Sequence, residues 1–213
     1  MIVRRFLRAA FIAALGAAPL AVAGLAEAES DFILKHDPTS TPVPPSSRFE
    51  PEFKFLFGSP ARWPGKVLHW SYNGADAPAH FSIAASAIQE ISAAAAKWSA
   101  VCGIQFVYDG ETTVLPYDGI STQPDHVSVV GWRNLDPGVA GITYAWFRAL
   151  GDGSRILTDA DILFDIGYLV TDARMNRTGS HEWGHAIGIA HSNVSGELMS
   201  GTPDSPYSSE FDP

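Results

Sequence analysis

The chain has 213 residues, of which 46% are hydrophobic, so it is long and apolar enough for one domain with a sizeable core. Its 23 acidic residues outnumber 14 basic ones, and the net charge of −9 argues against binding to nucleic acid or to anionic membrane surfaces. Cys102 is the single cysteine, which excludes an internal disulfide as a way to stabilise the fold.

The first 28 residues have the layout of a secretory signal peptide, because three arginines precede an apolar run from Ala9 to Ala26. An uncleaved membrane anchor is the alternative, but Pro19 and the high alanine content argue against it. We expect residues 1–28 to be removed on export to the periplasm or the medium. The mature chain then carries 11 basic and 22 acidic residues, and we expect a monomer with no membrane attachment.

A segment rich in proline and serine follows the signal peptide. Residues 36–47 read HDPTSTPVPPSS, which contains four prolines and hardly any apolar side chains. This composition is typical of an extended linker, so residues 29–58 are predicted to be a linker or a short pro-segment. The remaining residues, 59–213, are then the functional domain.

Alternating and helical patterns predict a mixed sheet with two helices. A strand is expected over Lys66–Tyr72, and a helix from about Ala79 to Ala100 that ends before Gly103. Further strands are predicted from the runs GIQFVYD, HVSVVGW, AGITYAWF and DADILFDIG, and a second helix is predicted over the histidines near residue 181. The fold class expected is therefore α+β, with a mixed, twisted sheet and two main helices packed on it.

Three of the seven histidines lie in the stretch HEWGHAIGIAH, residues 181–191. His181 and His185 are four residues apart, so an α-helix places them on one face and both can reach one ion. His191 can join them only if the helix ends first. Gly188 stands between them, and glycine adopts the left-handed conformation that such a reversal needs without steric cost.

Three imidazoles with a fourth position open form the ligand set of a catalytic zinc site. Glu182 lies beside His181 on the predicted helix, where it can serve as general base towards a water that the zinc ion activates. This chemistry is typical of peptide-bond hydrolysis. Two alternatives stay open: a secreted binding or adhesion module that uses zinc only for folding, and a zinc hydrolase of other substrates.

The motif His181-Glu182-x-x-His185-x-x-Gly188-x-x-His191 resembles the signature of the metzincin zinc proteases. Ser192 and the run Glu197-Leu198-Met199 are similar to the matrixin branch, in which a methionine forms the Met-turn beneath the metal. The run AAAAKWSAVCGIQF is similar to the matrixin helix that carries a tryptophan. The resemblance implies a zincin-like fold and a secreted endopeptidase with one catalytic zinc, three histidine ligands, Glu182 as general base and Met199 below the site.

The resemblance also implies how substrate binds. The run AGITYAWF stands where matrixins have the edge strand that receives an extended peptide by main-chain pairing. Ile142, Tyr144 and Trp146, or the residues alternating with them, are then expected to line one side of that strand. A protein or peptide is the partner this reading implies.

The sequence departs from the matrixin pattern in several places. Leu163 stands where the family has a histidine for a second, structural zinc, so we expect that site to be missing. The cysteine-based latency motif Pro-Arg-Cys-Gly is lacking, and only fourteen residues follow Met199, where matrixins continue into a closing helix. The resemblance also implies calcium, since matrixins bind it in loops like the one with Asp152, Asp159, Asp161 and Asp165. This is a weaker prediction, because the spacing is not that of an EF-hand and a solvated acidic loop fits better.

Overall fold

The computed structural model describes residues 54–119, 124–169, 171–192, 194 and 197–200, and the backbone of a strand at 29–34. The predicted signal peptide, residues 1–28, lies outside the described residues, as does the segment 201–213. Neither α-helix in the described part of the chain could span a membrane.

The described chain forms one seven-stranded sheet and two α-helices. The strands are β1 (Glu29–Leu34), β2 (Ala61–Arg62), β3 (Val67–Tyr72), β4 (Gln105–Glu111), β5 (Val129–Arg133), β6 (Val139–Ala149) and β7 (Arg155–Asp165). The helices are α1 (Ala84–Cys102) and α2 (Asp172–Ala186), and two short 3₁₀ helices cover Pro64–Lys66 and Ala79–Phe81.

The sheet is mixed and mostly parallel. Its strands run in the order β1-β6-β7-β5-β3-β4, with β2 also pairing with β7, and β6 and β7 form its antiparallel pair. The prediction of an α+β fold with a mixed sheet and two main helices is confirmed at this level.

Helix α1 begins later than predicted. Ile83 has extended backbone angles and precedes the helix, while residues 79–81 form a separate 3₁₀ turn, so the expected start near Ala79 was wrong. The predicted end is confirmed, because Gly103 takes the left-handed conformation with φ 68° and its N–H bonds to the carbonyl of Ser99.

The main core lies between the sheet and the two helices. It contains Trp70 of β3, Phe164 of β7 and Trp183 of α2, all essentially inaccessible to solvent. The helices approach each other closely through small residues, since a Cβ added at Gly179 would lie 3.2 Å from the Cβ of Ala94. This approach holds the histidine-bearing helix α2 firmly against the rest of the domain.

Strand β6 is not the edge of the sheet, in contrast to the expectation for the run AGITYAWF. Strand β1 pairs with it in parallel, with Ile33 opposite Tyr144 and Leu34 opposite Ala145. The pattern of β6 predicts a strand but cannot reveal which distant segment pairs with it. Residues 29–34, which fall in the predicted linker or pro-segment, therefore cover the edge on which substrate was expected to bind.

Residues 54–58, at the other end of that predicted segment, also join the folded unit. Leu56 and Phe57 are buried, and the N–H of Leu56 donates to the carbonyl of Gly188 at 3.0 Å. The N–H of Ala190 donates to the carbonyl of Lys54 at 2.8 Å. This short stretch therefore supports the turn that follows α2.

Candidate metal centre

Helix α2 carries two of the three histidines on a face that is closed to solvent. The Thr171 hydroxyl accepts a hydrogen bond from the N–H of Arg174 and caps the start of the helix. His181 and His185, one turn apart, are 5% and 0% exposed. The helical spacing thus brings the two imidazoles together, as predicted.

A reversal at Gly188 brings in the third histidine. Gly188 has φ +97°, a conformation that residues with a Cβ rarely adopt. Its N–H bonds to the carbonyl of His185 at 2.9 Å, and the N–H of Ile189 bonds to the carbonyl of Gly184 at 3.0 Å. The predicted bend at this glycine is confirmed, and the chain returns so that His191 faces the helix.

The three imidazoles converge through the same ring atom. Nε2 of His185 lies 3.0 Å from Nε2 of His181 and 3.2 Å from Nε2 of His191, and the remaining pair is also 3.2 Å apart. Among the described residues, this trio is the group of potential ligands close enough to share one metal ion.

The opposite ring atoms of the two helical histidines are fixed by backbone carbonyls. Nδ1 of His181 lies 2.6 Å from the carbonyl oxygen of Leu198, and Nδ1 of His185 lies 2.7 Å from that of Ile189. A carbonyl can only accept, so each Nδ1 carries the hydrogen and each Nε2 keeps its lone pair. Second contacts of this kind orient imidazole ligands towards a metal.

Burial favours the neutral, ligating form of both rings. Desolvation lowers the pKa of His181 from 6.5 to about 4, and the nearby His191 acts in the same direction. Desolvation also lowers the pKa of His185 well below 6.5, with His181 as the next cause. Neutral imidazole is the form that binds metal ions, so the site is prepared for one at neutral pH.

Met199 lies in a turn that packs against α2. The turn is closed by the N–H of Ser200, which bonds to the carbonyl of Glu197 at 3.0 Å, and Met199 is 6% exposed. Its sulfur fills the space beside Gly184, where an added Cβ would lie only 2.4 Å from it. Leu198 in the same turn supplies the carbonyl that holds His181, so the turn and the histidines are parts of one arrangement.

Glu182 points its side chain at β6. The residue is 0% exposed, and Oε2 lies 2.6 Å from the hydroxyl oxygen of Thr143. Nothing in the sequence pattern singles out Thr143. Strand alternation alone places it on the face opposite Ile142 and Tyr144, but only the packing of β6 on α2 shows that this face meets Glu182.

The residues named for substrate contact lie on the other face of the sheet. Tyr144 and Trp146 pack with Tyr117 and Leu163 in a small second cluster, and Ile142 joins its margin. Leu163, which stands where a histidine would hold a structural zinc in matrixins, is thus part of an apolar contact.

The buried aspartates of β7 hold a neighbouring loop. Asp161 accepts hydrogen bonds from the N–H groups of Tyr117 and Val129, and Asp159 accepts one from His126. Burial raises the pKa of Asp161 to about 8 and that of Asp159 to about 6. Asp152 instead caps an exposed turn through Ser154. These contacts give the carboxylates a structural part, while calcium binding stays a prediction.

No protein-family model matches this chain, and no curated protein matches it significantly. What can be said of its activity therefore depends on the geometry of the histidine site and on the motif that produces it.

Proposed function

We propose that the protein is an exported, monomeric, zinc-dependent endopeptidase of the matrixin-like metzincin type. The observation that carries the proposal is the convergence of three Nε2 atoms, 3.0 to 3.2 Å apart, on one side of helix α2. A helix, a left-handed glycine and two backbone carbonyls cooperate to produce this arrangement. The basic and apolar residues 1–28 support export.

The spacing of the ring nitrogens suits zinc. A tetrahedral ion with Zn–N bonds of about 2.0–2.1 Å keeps its ligands about 3.3 Å apart. The Nε2 separations agree with that value to within a few tenths of an ångström. Imidazole also suits copper and nickel, so the choice of zinc depends on the tetrahedral spacing together with the motif.

Bound zinc would supply a Lewis acid that lowers the pKa of water and polarises the scissile carbonyl. Glu182 is proposed to take the proton from the attacking water and to deliver it to the departing amide nitrogen. Its burial supports this role, because a carboxylate shielded from bulk solvent hands a proton to the substrate rather than to the medium. Met199 and Gly188 are proposed to support the site without touching substrate.

An extended peptide is proposed to bind by pairing with the outer side of β6, which adds a strand to the sheet. That position is taken by β1 in the structure. Residues 29–34 and a substrate would therefore compete for the same main-chain groups, and β1 must leave before an extended peptide can pair with β6.

The rival function is a zinc-stabilised binding module without activity. Structural zinc sites usually use four protein ligands. The described residues bring together three potential ligands at this centre, which favours a site with a position left for substrate.

The decisive experiment is digestion of casein by the purified mature protein. We expect cleavage that stops with a zinc chelator and returns when zinc is added back, with fragments that end at internal peptide bonds. A protein that binds one zinc per chain yet leaves casein and unfolded peptides intact after β1 has been removed would favour the binding module instead.

A further inference from the structure

Two residues of strand β6 surround the carboxylate of Glu182. The hydroxyl oxygen of Thr143 lies 2.6 Å from Oε2, and Thr143 is 1% exposed. On the other side, a Cβ added at Gly141 would lie 2.8 Å from Oε1 and 3.0 Å from Cδ. One residue therefore holds an oxygen by a hydrogen bond, and the other leaves room for the second oxygen by having no side chain.

We propose that Thr143 and Gly141 are positioning residues that fix the carboxylate of Glu182 for proton transfer. The consequence for catalysis rests on the proposed peptidase function, whereas the positioning itself is a property of the fold. Neither residue belongs to the zinc motif, and each acts through Glu182 rather than on substrate.

The contact between Thr143 and Glu182 is short and buried, so it can set the orientation of the Glu182 side chain. A glutamate has three rotatable bonds, and helix α2 alone does not decide where its carboxylate lies. A hydrogen bond from a hydroxyl to a carboxylate is charge-assisted, and 2.6 Å falls in the range of such bonds. With both partners buried, no water competes for Oε2.

The hydroxyl of Thr143 reaches two acceptors on Glu182. Its oxygen lies 2.6 Å from Oε2 and 3.2 Å from the backbone carbonyl oxygen of the same residue. Both contacts tie β6 to the residue of α2 that carries the carboxylate. Valine has the shape of threonine but can form neither bond.

The first test compares Thr143→Val and Thr143→Ser with the wild-type protein. We expect Thr143→Val to lower kcat about 10- to 100-fold, in line with other contacts that orient a catalytic group, with KM changed less than about twofold. Thr143→Ser keeps the hydroxyl and should stay within about threefold of wild type. Zinc content should be equal in all three proteins.

Thr158→Val is the matched control. Thr158 lies on the neighbouring strand β7, is half-buried and bonds through its hydroxyl to the backbone carbonyl of Trp146 at 3.4 Å. Its replacement removes a hydroxyl from the same sheet without touching Glu182, so kcat should not change. A fall in kcat equal to that of Thr143→Val would show a general effect of the sheet and would overturn the proposal.

The second test uses Gly141→Ala. It is independent of Thr143→Val and keeps the proposal testable if that variant does not fold. The added methyl group must displace the end of the Glu182 side chain, so kcat should fall about 10-fold with zinc retained. Gly151→Ala is its control, because an added Cβ at Gly151 meets nothing within 4 Å.

Crystal structures of Thr143→Val and Gly141→Ala give a readout that needs no activity. We expect the carboxylate of Glu182 to move by more than about 1 Å in each variant. If it moves and the wild-type protein cleaves no peptide, the positioning stands and the peptidase function fails. If the wild-type protein cleaves peptides and the carboxylate or kcat is unchanged in both variants, the positioning proposal is wrong and the function stands.

Discussion

Helices α1 and α2 pack against each other and against the same sheet, yet they bury different kinds of side chain. The buried residues of α1 are all apolar. Helix α2 buries ten residues, and these include the polar His181, Glu182 and His185. The hydrophobic effect explains the burial of α1. It does not explain the burial of His181, Glu182 and His185, because burying polar groups costs free energy unless a bond or a ligand compensates.

Each helix is followed by a glycine with positive φ, but the two turns lead the chain to different places. Gly103 after α1 and Gly188 after α2 both have positive φ, 68° and 97°. The first turns the chain towards β4, while the second brings His191 beside His181 and His185. Helix α2 thus buries polar side chains beside its apolar ones, and the experiments below test, in order of expected effect, what those polar side chains do.

Replacing Glu182 with Gln should have the largest effect on activity. We expect peptide cleavage to fall at least about 1,000-fold, because the amide cannot accept the proton, while zinc stays bound. Cleavage of a fluorogenic peptide and metal analysis of the same sample measure both. Glu90→Gln on α1 is the matched control and should leave activity unchanged; retained activity in Glu182→Gln would remove the proposed base.

Replacing His191 with Ala should weaken zinc binding by at least about 100-fold and lower cleavage by a similar factor, since one of three ligands is lost. Zinc should then no longer raise the melting temperature, as a ligand that binds only the folded state otherwise does. His69→Ala serves as the control, because His69 is exposed and pairs with Asp109. Equal zinc affinity in both variants would contradict a three-histidine site.

A reversible crosslink between β1 and β6 should inhibit the proposed peptidase activity. Asp31 and Ile142 are opposite each other in the parallel register, so cysteines at both positions can be joined. In a Cys102→Ser background we expect the oxidised protein to be at least about tenfold less active than the reduced one. Equal activity in both states would show that β1 does not compete with substrate.

Gly188→Ala should weaken zinc binding about tenfold, because a residue with a Cβ resists φ +97° and shifts His191. Gly103→Ala after α1 is the control. It carries a similar backbone cost of about 1 kcal/mol and should lower the melting temperature without changing zinc affinity. If both glycines affect zinc alike, the turn at Gly188 has no special role.

The smallest effect should be a pH dependence of the metal-free protein. His181 has a folded pKa of about 4 against 6.5 unfolded, so the unfolded chain binds protons first. The contribution of neutral, buried His181 to the free energy of unfolding is therefore complete above pH 6.5 and is lost as pH falls towards 4. Asp159, whose pKa burial raises to about 6, acts in the opposite direction. The test compares the melting temperatures of metal-free wild type and His181→Gln at several pH values. The advantage of the wild type should be largest above pH 6.5 and should shrink or reverse as the pH falls towards 4.

The sequence predicted the elements whose pattern is local. The stripe of α1, the alternation of β3 and the left-handed glycines at 103 and 188 follow from spacing and backbone sterics. The convergence of His181, His185 and His191 was predicted for the same reason, since helix geometry and one turn determine it.

Contacts between distant segments were not predictable in this way. The pairing of β1 with β6 and the contact of Thr143 with Glu182 depend on how the sheet is ordered and how α2 lies on it. A single chain carries no direct sign of such pairings, because any extended run could add to a sheet edge. The periodicity also did not reveal that the backbone of Ile83 is extended, which delays the start of α1.

X-ray absorption at the zinc edge of the purified, zinc-loaded protein reports the ligands of the ion. We expect one zinc per chain surrounded by three imidazole nitrogens at about 2.0–2.1 Å, falling to two in His191→Ala. A protein that binds no stoichiometric zinc, or whose zinc spectrum is unchanged after His191 is replaced, would rule out the three-histidine site.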